Sequence, residues 1–159
     1  MDNIAKDPGF GKPSQVRDKD DILLWAMKHQ NLVLAEFLAT TCADQGLFSL
    51  SAGSRREQDP LLSAAHQGAW TVVLGLLEGG ANVNARGGYY GNALQAASAG
   101  GHGEIVKQLL EGGADANAQG GLNGNELYAA SGSGHGKILK QLLERGADVD
   151  AQSNVRRSV

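Results

Sequence analysis

Apolar positions recur along the chain at helical spacing in short blocks, and glycines close the blocks. The stretch around residue 100 shows the pattern most clearly. A block from about Leu94 to Ala99 is opened by Asn92 and broken by Gly101. Ile105, Val106, Leu109 and Leu110 then fall on one stripe at spacings i, i+1, i+4 and i+5, while Lys107, Gln108 and Glu111 point away. This predicts two short helices, the second running from Glu104 to Glu111. Asn92 has the short polar side chain that caps free helix amides, and Gly113 suits the left-handed position after a helix end. Asp59 and Asn125 occupy the same capping column.

Sliding the chain on itself by 33 residues superposes ANVNA (81 to 85), ADANA (114 to 118) and ADVDA (147 to 151) without a gap from residue 59 to 151. Nine columns are invariant in three copies, among them Ala64/Ala97/Ala130, Gly68/Gly101/Gly134, Leu76/Leu109/Leu142 and Gly80/Gly113/Gly146. Residues 86 to 118 and 119 to 151 share 21 of 33 positions. Each copy reads as a helix pair followed by an extended finger. Isolated helices need about 12 to 15 residues to be even marginally stable, so stacking must hold these. The alanine column lets first helices approach closely, and the leucine pairs form a seam through the stack.

The remaining segments are predicted from the same reading. Residues 19 to 46 have helical spacing in two blocks, Ile22 to Met27 and Leu32 to Ala39, and read as a divergent capping pair. Residues 47 to 58 are rich in Ser, Gly and charge and read as a loop. A disordered tail is expected over residues 1 to 18, and a C-terminal tail over 152 to 159. The repeats are set at 59 to 85, 86 to 118 and 119 to 151.

On these motifs the chain resembles the ankyrin repeat family. DPLLSAAHQGAWTVVLGLLEGGANVNA, NALQAASAGGHGEIVKQLLEGGADANA and NELYAASGSGHGKILKQLLERGADVDA are similar to the family pattern TPLHLAAxxGHxxIVxLLLxxGADVNA. The resemblance implies an all-α solenoid of stacked helix pairs with extended finger loops. The form GGYYGNALQAAS is similar to ankyrin arrays of filamentous fungi, often attached to nucleotide-binding receptor-like proteins. NALQ and NELY depart from TPLH, so the Thr to His lock at the first helix is missing, and Glu126 stands where the family has Pro. The third repeat is therefore expected to be less rigid, with an apolar outer face around Leu139 and Leu143 that a following repeat would normally cover.

Composition sharpens the picture. Glycine, at 23 of 159 residues, is about twice its usual share, and its placement at helix ends accounts for the excess. The formal net charge of −3 lacks the clustered cations of a nucleic-acid binder. The longest apolar run, Ile22 to Met27, has six residues, far below the roughly 20 of a membrane helix. No export signal is visible, and the single Cys42 fits a reducing compartment, the cytoplasm or the nucleus. Cys42 is expected to be a buried thiol.

Candidate chemistry is sparse. GSGHGK (132 to 137) has the look of a phosphate loop, but Ser131 replaces the first glycine and Ile138 the metal-binding hydroxyl. His102 and His135 share a column about one repeat apart, on the order of 10 Å, too far for shared metal ligation. The resemblance implies that this histidine hydrogen-bonds the turn instead. Asp148 and Asp150 read as solvated finger residues. The expectation is no enzymatic activity, no cofactor, no metal and no small-molecule substrate.

The resemblance implies a protein partner on the concave face, made by finger tips and first helices. The columns there vary: Arg56, Tyr89 and Leu122 at the tip, Glu57, Tyr90 and Asn123 beside it. The candidate partner-binding residues are Arg55, Arg56, Gln58, His66, Gln67, Tyr89, Tyr90, Leu122, Asn123 and Ser133. Tyr89 and Tyr90 either anchor a partner or pack on a neighbouring finger. Trp70, in a glycine column, is either a recognition residue or a cover over the cap junction through Trp25 or Phe37. Two functional classes stand: a protein-binding module, or a sensor or autoinhibitory segment of a larger receptor-like protein.

Overall fold

The computed structural model describes residues 19–44, 59–121 and 124–150. Arg55, Arg56, Gln58, Leu122 and Asn123 fall outside the described residues, as do both tails, the loop before residue 59 and the side chain of Cys42.

Eight helices are present among the described residues: α1 (Lys19–Lys28), α2 (Leu32–Asp44), α3 (Pro60–Gln67), α4 (Trp70–Glu78), α5 (Ala93–Gly100), α6 (Gly103–Glu111), α7 (Glu126–Gly132) and α8 (Gly136–Glu144). A two-residue hairpin, β1 (Arg86–Gly87) and β2 (Gly91–Asn92), pairs antiparallel with Arg86 opposite Asn92 and Gly87 opposite Gly91. In the next finger only a bridge forms, between Gly120 and Gly124. None of the described helices is long and apolar enough to cross a membrane.

The first helices start where short polar side chains take up free amides. Asp59 Oδ1 accepts from Leu61 N at 2.8 Å, Asn92 Oδ1 from Gln95 N at 2.7 Å and Asn125 Oδ1 from Tyr128 N at 2.8 Å. The second helices end one or two residues before a glycine of positive φ: Gly80 (+87°), Gly113 (+89°) and Gly146 (+85°). α6 begins at Gly103, one residue earlier than the spacing predicted, and buries Ile105, Val106 and Leu109.

The pairs stack in two rows. α1 packs on α3, α3 on α5 and α5 on α7, while α2 packs on α4 and α6 on α8. Ala64, Ala97 and Ala130 are fully buried in the inner row, and Leu76, Leu109 and Leu142 in the outer one. The seam ends there, since Leu143 is exposed whereas Leu77 and Leu110 are half-buried. The capping pair joins by a close backbone approach. A Cβ on Gly75 of α4 would lie 2.9 Å from the Ala39 carbonyl carbon of α2. The equivalent columns hold Gln108 and Gln141, so this glycine answers to α2 alone. Thr71 Oγ1 donates to Glu36 Oε1 at 2.6 Å across the same junction.

Polar bridges repeat from one pair to the next. The His102 Nε2–H donates to the His66 carbonyl in the preceding turn at 2.9 Å. Its ring lies over Gly68, where a Cβ would meet His102 Cε1 at 2.5 Å, and the His135 ring lies over Gly101 in the same way, at 2.6 Å. In the fingers, Asn84 donates to the Gly113 carbonyl (3.1 Å) and accepts from Asp115 N (2.9 Å). Asn117 repeats both bonds with Gly146 and Asp148.

The glycine column separates backbone strain from contact with histidine. Gly68 and Gly134 have similar positive φ, +74° and +76°, but nothing lies within 4 Å of a Cβ at Gly134. Gly134→Ala is expected to cost about 1 to 2 kcal/mol from the left-handed backbone alone. Gly68→Ala should cost at least about 1 kcal/mol more, because His102 must move. Denaturant midpoints of the two variants measure the difference, and equal losses would show that the ring yields freely.

Candidate functional site

The inner row and the first finger enclose a groove of about 640 Å³. α1 contributes Leu24, Met27 and Lys28, α3 contributes Leu62, Ser63, His66 and Gln67, and the finger contributes Gly88, Tyr89 and Tyr90. Leu62 and Met27 are buried beneath it, and His66, Gln67 and Lys28 are exposed at its edges. Among the described residues Lys28 is the one lysine, arginine or carboxylate side chain lining it.

The two adjacent tyrosines have different jobs. The Tyr90 ring stacks on His66, with centroids 4.5 Å apart and planes 26° from parallel. Its hydroxyl donates to His66 Nε2 at 2.6 Å. Burial lowers the pKa of His66, with the charge of His102 adding to the effect, which keeps a lone pair on the imidazole for that hydroxyl. Burial, then the neighbouring Tyr89, raises the pKa of Tyr90. Tyr90 thus ties the finger to the last turn of α3. Tyr89 packs T-shaped on Tyr90 at 5.0 Å and is 61% exposed.

Of the candidates within the described residues, His66, Gln67, Tyr89 and Tyr90 come together in this groove, whereas Ser133, exposed after α7, does not line it. Trp70, which the sequence leaves open between a recognition residue and a cover over the cap junction, lies with Gly68 and residues 102–105 around a separate 470 Å³ depression on the side of the following repeat. Among the described residues no three His, Cys, Asp or Glu side chains gather as metal ligands.

Leu24, Met27 and Lys28 were not among the sequence candidates, because only the stacking of α1 on α3 brings them to the groove. Glu126 was missed in another sense. It is fully buried and accepts from Asn92 Nδ2 of the preceding repeat at 3.0 Å. Its departure from the family's Pro was the available signal.

A stack of helix pairs joined by hairpin fingers, with a shaped groove on the finger side, is the architecture of an α-solenoid recognition scaffold. Residues 86–153 match the family model for ankyrin repeats (3 copies). This segment belongs to the ankyrin-repeat family, and the fold is the all-α ankyrin solenoid. Ankyrin repeats are protein–protein interaction modules and are in general non-enzymatic. No curated protein matches the chain.

Because Tyr90 is a structural tie, Tyr90→Phe should cost about 1 kcal/mol through its lost hydrogen bond, and Tyr90→Ala about 2 kcal/mol or more. Tyr89→Ala should stay within about 0.5 kcal/mol of wild type. Thermal unfolding of the three variants checks the order, and a Tyr89 variant as damaged as Tyr90→Ala would reverse the assignment.

Proposed function

We propose that this chain is a non-enzymatic ankyrin module that takes a segment of a partner protein in the groove between α1, α3 and the β1–β2 finger. The observation that carries the reading is Tyr89. A large, rigid aromatic ring stands 61% exposed beside an apolar floor, its own backbone pinned by the Tyr90–His66 contact. Aromatic rings on fixed backbone anchor protein interfaces at small entropic cost. Leu24, Met27 and Leu62 supply the apolar centre, and Lys28, Ser63 and Gln67 form a polar rim. Arg55, Arg56, Gln58, Leu122, Asn123 and Ser133 extend the same reading along neighbouring fingers and the end of α7. The repeat borders at 85/86 and 118/119 follow the same division of labour, each finger being shared by the pairs on either side.

The test is affinity capture with a quantified partner. Tyr89→Ala should weaken the captured interaction by about 2 kcal/mol, roughly 30-fold, with the melting temperature unchanged. Lys107→Ala, on the opposite exposed face of α6, should bind as wild type. Full retention of binding by a folded Tyr89→Ala variant would move the site away from this groove.

A further inference from the structure

The α5–α7 junction carries a feature that partner recognition does not use. Glu126 and Gln95 are both 0% exposed. Glu126 Oε1 accepts from Asn92 Nδ2, and Gln95 Nε2 donates to the Ala118 carbonyl at 3.2 Å. Two buried atoms are left over, Glu126 Oε2 and Gln95 Oε1, neither with a hydrogen-bond partner. Both are acceptors when the carboxyl is ionised, so the ionised junction holds two unfilled acceptors. A proton on Oε2 removes the buried charge and one of those unfilled acceptors. We propose that Glu126 is a proton-operated latch: its protonated carboxyl locks α7 onto α5, and loss of the proton to bulk water leaves an undercompensated charge in the junction and loosens the C-terminal helix pair.

Among the described residues no buried cation offsets that charge. α5 and its capping residue present Asn92, Gln95 and Ser98, none of which titrates near neutral pH. The preceding finger presents Asp115, whose negative charge opposes ionisation. α8 buries only Ile138 and Leu142, and its charged residues Lys137, Lys140 and Glu144 are exposed. Burial therefore dominates, and the carboxyl is pushed up to about 7 against the opposing hydrogen bond from Asn92.

The direction of the pH effect follows. The folded chain holds the proton more tightly than the unfolded chain, whose carboxyl titrates near 4.5. Stability from this group is complete below that value, falls as pH rises through the window between the two, and is flat above about 7. Glu126→Gln cannot ionise, and its side-chain oxygen still accepts from Asn92.

The experiment is a pair of denaturant titrations of the full chain from about pH 5 to about pH 8.5, wild type against Glu126→Gln. The difference between the curves removes the four histidines, which both proteins share. Wild type should lose at least about tenfold in its folding constant relative to the variant across this range. Parallel curves would overturn the proposal. Titration of the Glu126 carboxyl resonance in the wild-type chain gives an independent reading if the variant fails to fold. A midpoint near neutrality supports the latch, and a midpoint in the ordinary carboxylate range overturns it. Protection factors of Tyr128, Ala129 and Ala130 amides should fall with the same midpoint while those of α3 hold steady. A uniform fall along the chain would refute a latch confined to this junction.

Discussion

Helices α3 to α8 have seven to nine residues each, shorter than any helix that stands alone in water, so every pair depends on its neighbour. That dependence is met by apolar packing and by bridges that each span one repeat. The alanine and leucine columns supply the first. The second is made by His102 on the His66 carbonyl, by Asn84 and Asn117 between fingers, and by Asn92 on Glu126. Each bridge serves buried or turn groups that would otherwise be left without partners, which costs more than the bond itself contributes. Stability in such a stack is close to a sum of nearest-neighbour terms, and the character of each junction is set by a handful of side chains.

Much of this was legible because it is local or periodic. The caps at Asp59, Asn92 and Asn125 and the left-handed glycines are decided by residues within one helix turn, so a single copy announces them. The 33-residue register placed the invariant buried columns, since Ala64, Ala97 and Ala130 are buried alike, as are Leu76, Leu109 and Leu142. What the sequence hid was the content of each junction. Gly75 reads as a poor helix residue in a column of glutamines, and only the approach of the Ala39 backbone explains it. In sequence Trp70 stands between two readings because a helix face does not state which adjoining pair it meets, and it lines a depression with the following repeat. Tyr89 and Tyr90 differ by one position in a finger, and the presence of His66 beneath one of them decides which packs and which projects.

One column shows how far identical geometry can be put to different uses. Leu62, Gln95 and Tyr128 are equivalent by the repeat. Leu62 is 6% exposed and floors the groove, Gln95 is fully buried and bonds the Ala118 carbonyl, and Tyr128 is 52% exposed beside Leu139, Leu143 and Val149. The backbone places all three on the inner row. Their environments differ because what lies above them differs: α1 and a tyrosine finger in the first case, the glycine-rich finger and Glu126 in the second, open surface among the described residues in the third. A repeat scaffold thus separates the positions that make the stack from those that make a surface, and variation accumulates in the second class without strain on the first.

The groove and the buried carboxyl lie at different junctions, and the packing order governs how one can influence the other. α1 reaches α3, α3 reaches α5 and α5 reaches α7, and the glycine-rich finger before Glu126 lies on the Tyr90–Gly91 backbone, so a change at Glu126 has two routes to the Tyr90–His66 tie, through α5 and through that finger. Within α5 the route is concentrated. Asn92 caps the helix and holds Glu126, while Gln95, whose amide that cap secures, holds the following finger. Asn92 also closes the β1–β2 hairpin opposite Arg86, and Tyr89 and Tyr90 lie between those strands. The residue that grips the C-terminal pair is therefore the residue that ends the finger carrying the exposed tyrosine. Loss of the Glu126 bond removes one of Asn92's two side-chain contacts and leaves the other, the cap on Gln95 N, in place. Coupling through α5 is in consequence limited by how much of Asn92's position is set from the α7 side, while the groove's floor on α1 and α3 remains anchored independently by Leu23, Met27, Leu61 and Ala64.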